Sequence, residues 1–270
     1  GQSKRKGLVI HFQSGEDRMY EFSVGEKEYQ VVSPTQEQRT QSQIVYSVAI
    51  NKAIQAAQKT KDKPLMRAQL NTVLEGIWTS EDEETVKKLN EKINSLVLKL
   101  KKGGIKLEEG RQIALDIIDT RNELMVAQIK RNTLDDATVE SIAEQTKFDY
   151  LVSECTVYKD GGKVYKNVDE YKNDNSEVAS KAAGQLAHLL YKLDPSYQEN
   201  LPEFKFLKQY KFVDDQLRFI DKQGRLVDRD GKLINEDGHY INEDGELVNR
   251  SGQRVDDKGD LLVEFTPFEE

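Results

Sequence analysis

The chain has 270 residues and a mass of 30.9 kDa, enough for one or two domains with a sizeable core. Charged residues make up 33% and hydrophobic ones 37%, and 40 Lys+Arg against 48 Asp+Glu leave a net charge of -8. No run of about 18 apolar residues exists, which excludes a membrane-spanning helix, and the acidic balance argues against a broad nucleic-acid footprint. A single cysteine, Cys155, excludes an intrachain disulfide framework and points to a reducing compartment. No apolar stretch opens the chain in the manner of a signal peptide.

Residues 1–6 (GQSKRK) are polar and basic, and Arg5 stands where a myristoylation motif needs a hydroxyl residue. Residues 7–12 and 19–24 read as short strands, and Gly25-Glu26-Lys27 turns into a third over Glu28–Val32. Ser33-Pro34-Thr35-Gln36 reads as a helix start with Ser33 as the cap. Ile44, Val45, Val48, Ala49, Ile54 and Ala57 then follow at helical spacing. A second helix is expected over 64–77, with Trp78 ending its apolar face as a core residue. Ser80-Glu81-Asp82-Glu83 is a further capping box, and Gly103-Gly104 stops the helix it begins. Helices follow over 108–131 and from Asp135 to Cys155. Asp160-Gly161-Gly162 turns a β-hairpin over 156–165. Ser176 caps a helix with a small-residue face, and a short helix is expected over 201–210.

From Phe219 the sequence repeats every seven residues: FIDKQGR, LVDRDGK, LINEDGH, YINEDGE, LVNRSGQ, RVDDKGD, then LL. Each unit has two mostly apolar residues, Asp or Asn, two polar residues, Gly and a polar residue. Glycine in every unit and Val or Ile at the second position both oppose a coiled coil. The pattern reads as successive tight turns, with Asp or Asn bonding the backbone two residues on. Gly224, Gly231, Gly238, Gly245, Gly252 and Gly259 take the left-handed positions. In an antiparallel meander the first residues would share one apolar face: Phe219, Leu226, Leu233, Tyr240, Leu247 and Leu261, with Arg254 interrupting it. A solenoid with two units per coil is the alternative. Strands this short bury little, so this face is expected to bind a protein partner or a copy of itself. Residues 219–270 hold 14 acidic and 7 basic residues, a net of -7, which leaves only -1 of the chain's -8 for the rest.

The acidic turns resemble calcium loops, but the first EF-hand ligand position falls on Phe, Leu, Tyr, Leu or Arg in every unit, so no metal is expected. His11, His188 and His239 have no metal-ligand spacing. No P-loop, GxSxG or GxGxxG occurs, and no cofactor or catalytic residue is expected.

EYQVVSPTQEQRTQSQIVYSVA, RNELM (121–125), FDYLVSECTVYKDGGKVY (148–165), LPEFKFL (201–207), the D-x-x-G heptads and the closing VEFTPF (263–268) resemble proteins of T4-like, marine-type tailed bacteriophages. The resemblance implies a virion or tail-assembly protein, located in the particle, whose partners are other virion or assembly proteins or copies of itself. The expected fold is α+β: a mainly helical body with a small N-terminal antiparallel sheet, an inserted β-hairpin and a C-terminal seven-residue β-turn repeat. The expected organisation is a β segment over 1–33, a helical domain over 34–133 and a second helical domain over 134–218. The heptad repeat over 219–262 and a tail over 263–270 follow. The function expected first is a non-enzymatic structural component of the tail or its junctions. A tail assembly chaperone absent from the mature virion, and a calcium-dependent binding module, are the alternatives.

Overall fold

The computed structural model describes residues 19–263. The strand expected over 7–12, His11 and the closing residues 264–270 lie outside them. The described chain is α+β and mainly helical, with a three-stranded antiparallel sheet in the order β1-β2-β3. Contacts group it into two units, each drawn from two stretches: residues 1–90 with 123–197, and residues 91–122 with 198–270. The boundaries expected from the sequence lie at 33, 133, 218 and 262.

The first unit is built on the sheet. β1 (Met19–Val24) pairs with β2 (Lys27–Val32) from Met19↔Val32 to Val24↔Lys27. Gly25, at φ +60°, opens the two-residue turn between them, a conformation glycine adopts without the clash a Cβ brings. Alternation then sends Tyr20, Phe22, Tyr29 and Val31 inward. β3 (Thr156–Tyr158) joins the other side of β2. The expected hairpin over 156–165 is thus mainly a third strand of the N-terminal sheet. Its return arm holds to β3 by one bridge, Val157↔Lys163.

α1 (Gln36–Lys59) starts two residues later than expected. Its cap is Thr35, which is extended at φ -70° and ψ 164°, and not Ser33. The Thr35 hydroxyl accepts from the Gln38 N–H at 3.1 Å, and the Gln38 side chain accepts from the Thr35 N–H at 2.9 Å. This closes a capping box. α1 packs along α6 (Val139–Cys155), whose own cap is Thr138. The expected helix over 64–77 is broken into a 3-10 turn at Arg67–Gln69 and a short α2 (Leu70–Glu75). The Arg67 guanidinium holds Glu144 at 3.0 and 3.1 Å and Ser141 at 2.9 Å, tying this connection to α6. α7 (Val168–Lys172) and α8 (Glu177–Tyr191) complete the unit. Ser176 sits at the N-cap of α8 but makes no side-chain capping bond, unlike the expectation. The core brings Phe22, Tyr29 and Val31 against Leu151, Val152 and Cys155 of α6 and Ala182 and Leu186 of α8.

α3 (Ser80–Lys102) and α4 (Leu107–Ala127) contribute residues to both units. At the start of α3, Thr79 exchanges hydrogen bonds with Asp82 at 2.9 and 3.1 Å, so the cap is Thr79 and not Ser80. The helix expected over 108–131 ends at Ala127, and a separate α5 (Ile129–Asp136) follows. Trp78 is half-buried rather than core. Its Nε1 donates to Glu83 at 2.8 Å, and Lys130 and Arg131 lie over its ring.

In the second unit, α9 (Pro202–Gln209) lies against α4. Ala114, Leu207 and Val213 form its buried centre, with Ile118, Phe204 and Phe219 packed around them. Gly110 allows the close approach: a Cβ there would stand 2.6 Å from Phe206 Cζ. Glu203 is fully buried, and its carboxylate accepts from Arg121 Nε at 2.5 Å. A buried carboxylate needs such a partner to offset its lost hydration.

Candidate protein-interaction surfaces

The C-terminal heptads form one turn each. In the turn at Asp221, Asp221 Oδ1 accepts from the N–H groups of Gln223 and Arg225, both at 2.9 Å. The Gly224 N–H bonds back to the Asp221 carbonyl at 3.0 Å. The same set recurs at Asp228, Asn235, Asn242, Asn249 and Asp256. All six glycines have φ between +79° and +88° with open space around the missing Cβ. Each turn returns the chain so that its second residue bridges the first residue of the next unit: Ile220↔Leu226, Val227↔Leu233, Ile234↔Tyr240, Ile241↔Leu247, Val248↔Arg254 and Val255↔Leu261.

One further turn precedes these. Val213 bridges Phe219, and Asp214 Oδ1 accepts from Gln216 and Arg218 at 3.0 and 2.9 Å. Residues 212–218 (FVDDQLR) are therefore a unit in the same frame, with Leu217 at φ +63° where the others have glycine. The sequence frame already held Val213 and Asp214 in register. Leucine in place of glycine masks this unit in a repeat marked by its glycines. Leu217 also packs against the Ala114–Leu207 core, which offsets the left-handed strain of about 1 kcal/mol.

The expected binding face is partly used up within the molecule. Phe219, Leu226, Leu233, Tyr240 and Leu247 are half-buried, whereas Leu261 is 61% exposed. The second-position residues are no more solvated, and Val213 and Val227 are buried. Arg254, the one charged first-position residue, pairs with Glu246 at 2.6 Å. Tyr240 donates its hydroxyl to Asp228 at 2.9 Å.

Side chains also reach along the series. Arg218 meets Glu236 at 2.7 Å, and Arg225 meets Glu243 at 2.5 Å. Lys232 donates to the Arg250 carbonyl at 3.0 Å. Each of these links a unit to the third unit after it. They are exposed and screened by solvent, so they set register more than stability. The series is anchored on α4. Arg229 holds both carboxylate oxygens of Asp119, at 2.5 and 3.0 Å, and Arg111 donates to the Arg229 carbonyl at 2.6 Å. The Arg229 guanidinium keeps the Asp119 carboxyl below its ordinary value.

In the first unit a shallow groove of about 760 Å³ runs between α1 and α6. Ile44 and Val48 on α1 and Ile142 on α6 line it, at 50%, 44% and 46% exposure. Such apolar exposure is a feature of surfaces that meet other proteins.

Cys155 is buried, and burial pushes its thiol up to about 12, far from a thiolate at neutral pH. His188 stacks on Tyr20 with ring centroids 4.6 Å apart, and His239 is exposed at a turn. Among the described residues no group of three or more His, Cys, Asp or Glu side chains converges as a metal site. No helix among them is long and apolar enough to cross a membrane.

No protein-family model, curated protein or solved structure matches this chain.

Proposed function

We propose that this chain is a structural component of a tailed-phage particle, acting by protein–protein contact and not by catalysis. We infer that the heptads form one continuous β ribbon that coils with about three units per turn. The links from each unit to the third after it support this geometry over two units per coil. The observation that carries the functional reading is the anchoring of the repeat on α4 through Arg229–Asp119 and Phe219. An anchored ribbon is a preformed arm, and a preformed arm loses little freedom when it binds. In a particle of many copies, neighbouring subunits can cover exposed apolar residues of the last described turn, such as Leu261, Leu262 and Val263. The phage-like phrases of the sequence point to the same setting.

The test is deletion of residues 233–262, which keeps the anchoring residues Phe219 and Arg229. The variant is expected to retain its helical circular dichroism and to be missing from purified particles. Incorporation at the native level contradicts the proposal. The exposed groove between α1 and α6 supports a second reading, a tail assembly chaperone that holds a client segment there and leaves before maturation.

A further inference from the structure

A second groove, of about 560 Å³, lies where α3 turns into α4 beside α9. Lys101, Lys106 and Lys205 line it together with Ile105, Phe206 and Tyr210, and no carboxylate does. All three lysines are exposed, and none forms an ion pair or side-chain hydrogen bond with the described residues. Of the acids near these lysines in the chain, neither Glu109 nor Glu199 lines the groove. Glu203 is buried against Arg121, and Glu108 pairs with Arg111 at 3.4 Å. A chain of net charge -8 thus carries a groove lined by three exposed lysines, two aromatic rings and no carboxylate.

The same unit carries the opposite feature. Residues 233–246 hold five carboxylates and no Lys or Arg. Glu236 and Glu243 are matched by Arg218 and Arg225, and Glu246 by Arg254. Asp237 and Asp244 are left exposed with no cation beside them. Each precedes the glycine of a tight turn. An exposed acidic turn and a lysine-lined groove are complementary in sign.

We propose that the lysine groove is the docking site for an acidic turn, Asn235–His239 or Asn242–Glu246, of a second copy of this chain. This rests on the structural reading above and supplies its self-contact. The two surfaces differ, so the contact is head-to-tail and propagates into a ring if its rotation closes and into a filament if it does not. Every subunit gives one turn and receives one. The contact is formed by exposed charges, so it weakens steeply as salt shortens the screening length to about 10 Å at 0.1 M and below. Electrostatic pairing of this kind fixes partner and register more than raw affinity.

The test is the mass of the full chain in solution, by analytical ultracentrifugation at low and high salt, with charge-swap variants. The native chain is expected to associate at low salt and to dissociate at high salt. The variant Asp237→Lys/Asp244→Lys alone, and the variant Lys101→Glu/Lys106→Glu/Lys205→Glu alone, are each expected to lose at least about tenfold in association. Mixing the two is expected to restore assemblies containing both. All five positions are exposed, so folding is not at stake, and circular dichroism checks it. A native chain that stays monomeric at low salt, or variants that do not complement on mixing, overturns the proposal. So does a groove that binds inorganic pyrophosphate, lost in the triple lysine variant, while the chain remains monomeric. Absence of the chain from purified particles would count against the structural reading while leaving this contact standing.

Discussion

Two residues in the second unit carry unusual burdens. Glu203 is fully buried and its charge is met by Arg121, whose side chain is 34% exposed. Removing the partner strands a buried carboxylate. Arg121→Ala is expected to cost about 3–5 kcal/mol in chemical denaturation, more than Glu203→Gln, which removes the charge as well. Gly110 makes the opposite kind of demand. Alanine in a helix interior ordinarily adds about 1 kcal/mol of stability over glycine. Here the new methyl would meet the Phe206 ring at 2.6 Å, and overpacking costs about 1–3 kcal/mol. Gly110→Ala should therefore lower the unfolding midpoint, and a rise would show that the ring moves aside freely. Gly238 has open space but φ +82°, so Gly238→Ala is expected to cost about 1–2 kcal/mol through the backbone alone.

The turn units differ in one titratable respect. Asp214, Asp221 and Asp228 lead three of them, whereas Asn235, Asn242 and Asn249 lead the next three. The Arg225 N–H holds the Asp221 carboxyl below its ordinary value. At Asp214 and Asp228 burial pushes the carboxyl up. The N–H groups of Arg218 and Lys232, helped by the Arg218 guanidinium and the Tyr240 hydroxyl, outweigh it and leave both lowered. A carboxyl with a lowered folded value contributes stability above its unfolded value, and loses it as pH falls through the folded one. The Asp-led turns should thus loosen below about pH 4, while the Asn-led turns keep their amide acceptors. Amide exchange followed by NMR from pH 6 to pH 3 is expected to show protection lost first at Gly224 and Gly231 and retained at Gly238 and Gly245. Uniform loss along the ribbon would contradict the account.

The same elements show what a sequence can and cannot carry. The helix expected over 64–77 is broken, the one over 108–131 is split and α7 lies outside the expected helices. β1 and β2 are legible in alternation, and the longer helices α1, α3, α6 and α8 from their apolar spacing. Their starts slip by a residue or two, because a cap is chosen by reach. Thr35 is extended and its hydroxyl meets the N–H three residues on, which composition alone does not decide between Ser33 and Thr35. Leu217 concealed a turn unit because its strain is compensated only by a core assembled from α4 and α9. Lys205 lies about a hundred residues beyond Lys101 and Lys106, so their groove exists only after packing.

At the scale of the molecule, the charge is divided by element. Nearly all of the net -8 lies on the repeat and the residues after it, while the helices that carry it are close to neutral. Like charges concentrated on an edge keep a β ribbon from pairing indiscriminately. On the contact proposed above, they would also favour a cationic partner. This division of labour, a neutral helical base and an acidic arm fixed to it by Arg229 and Asp119, underlies the proposed role in a particle. A component that forms part of the particle remains there, whereas a chaperone departs. Quantitative mass spectrometry of purified mature particles separates the two. The account predicts this chain at a fixed copy number relative to the other structural proteins, and its absence from particles that are otherwise complete would contradict it.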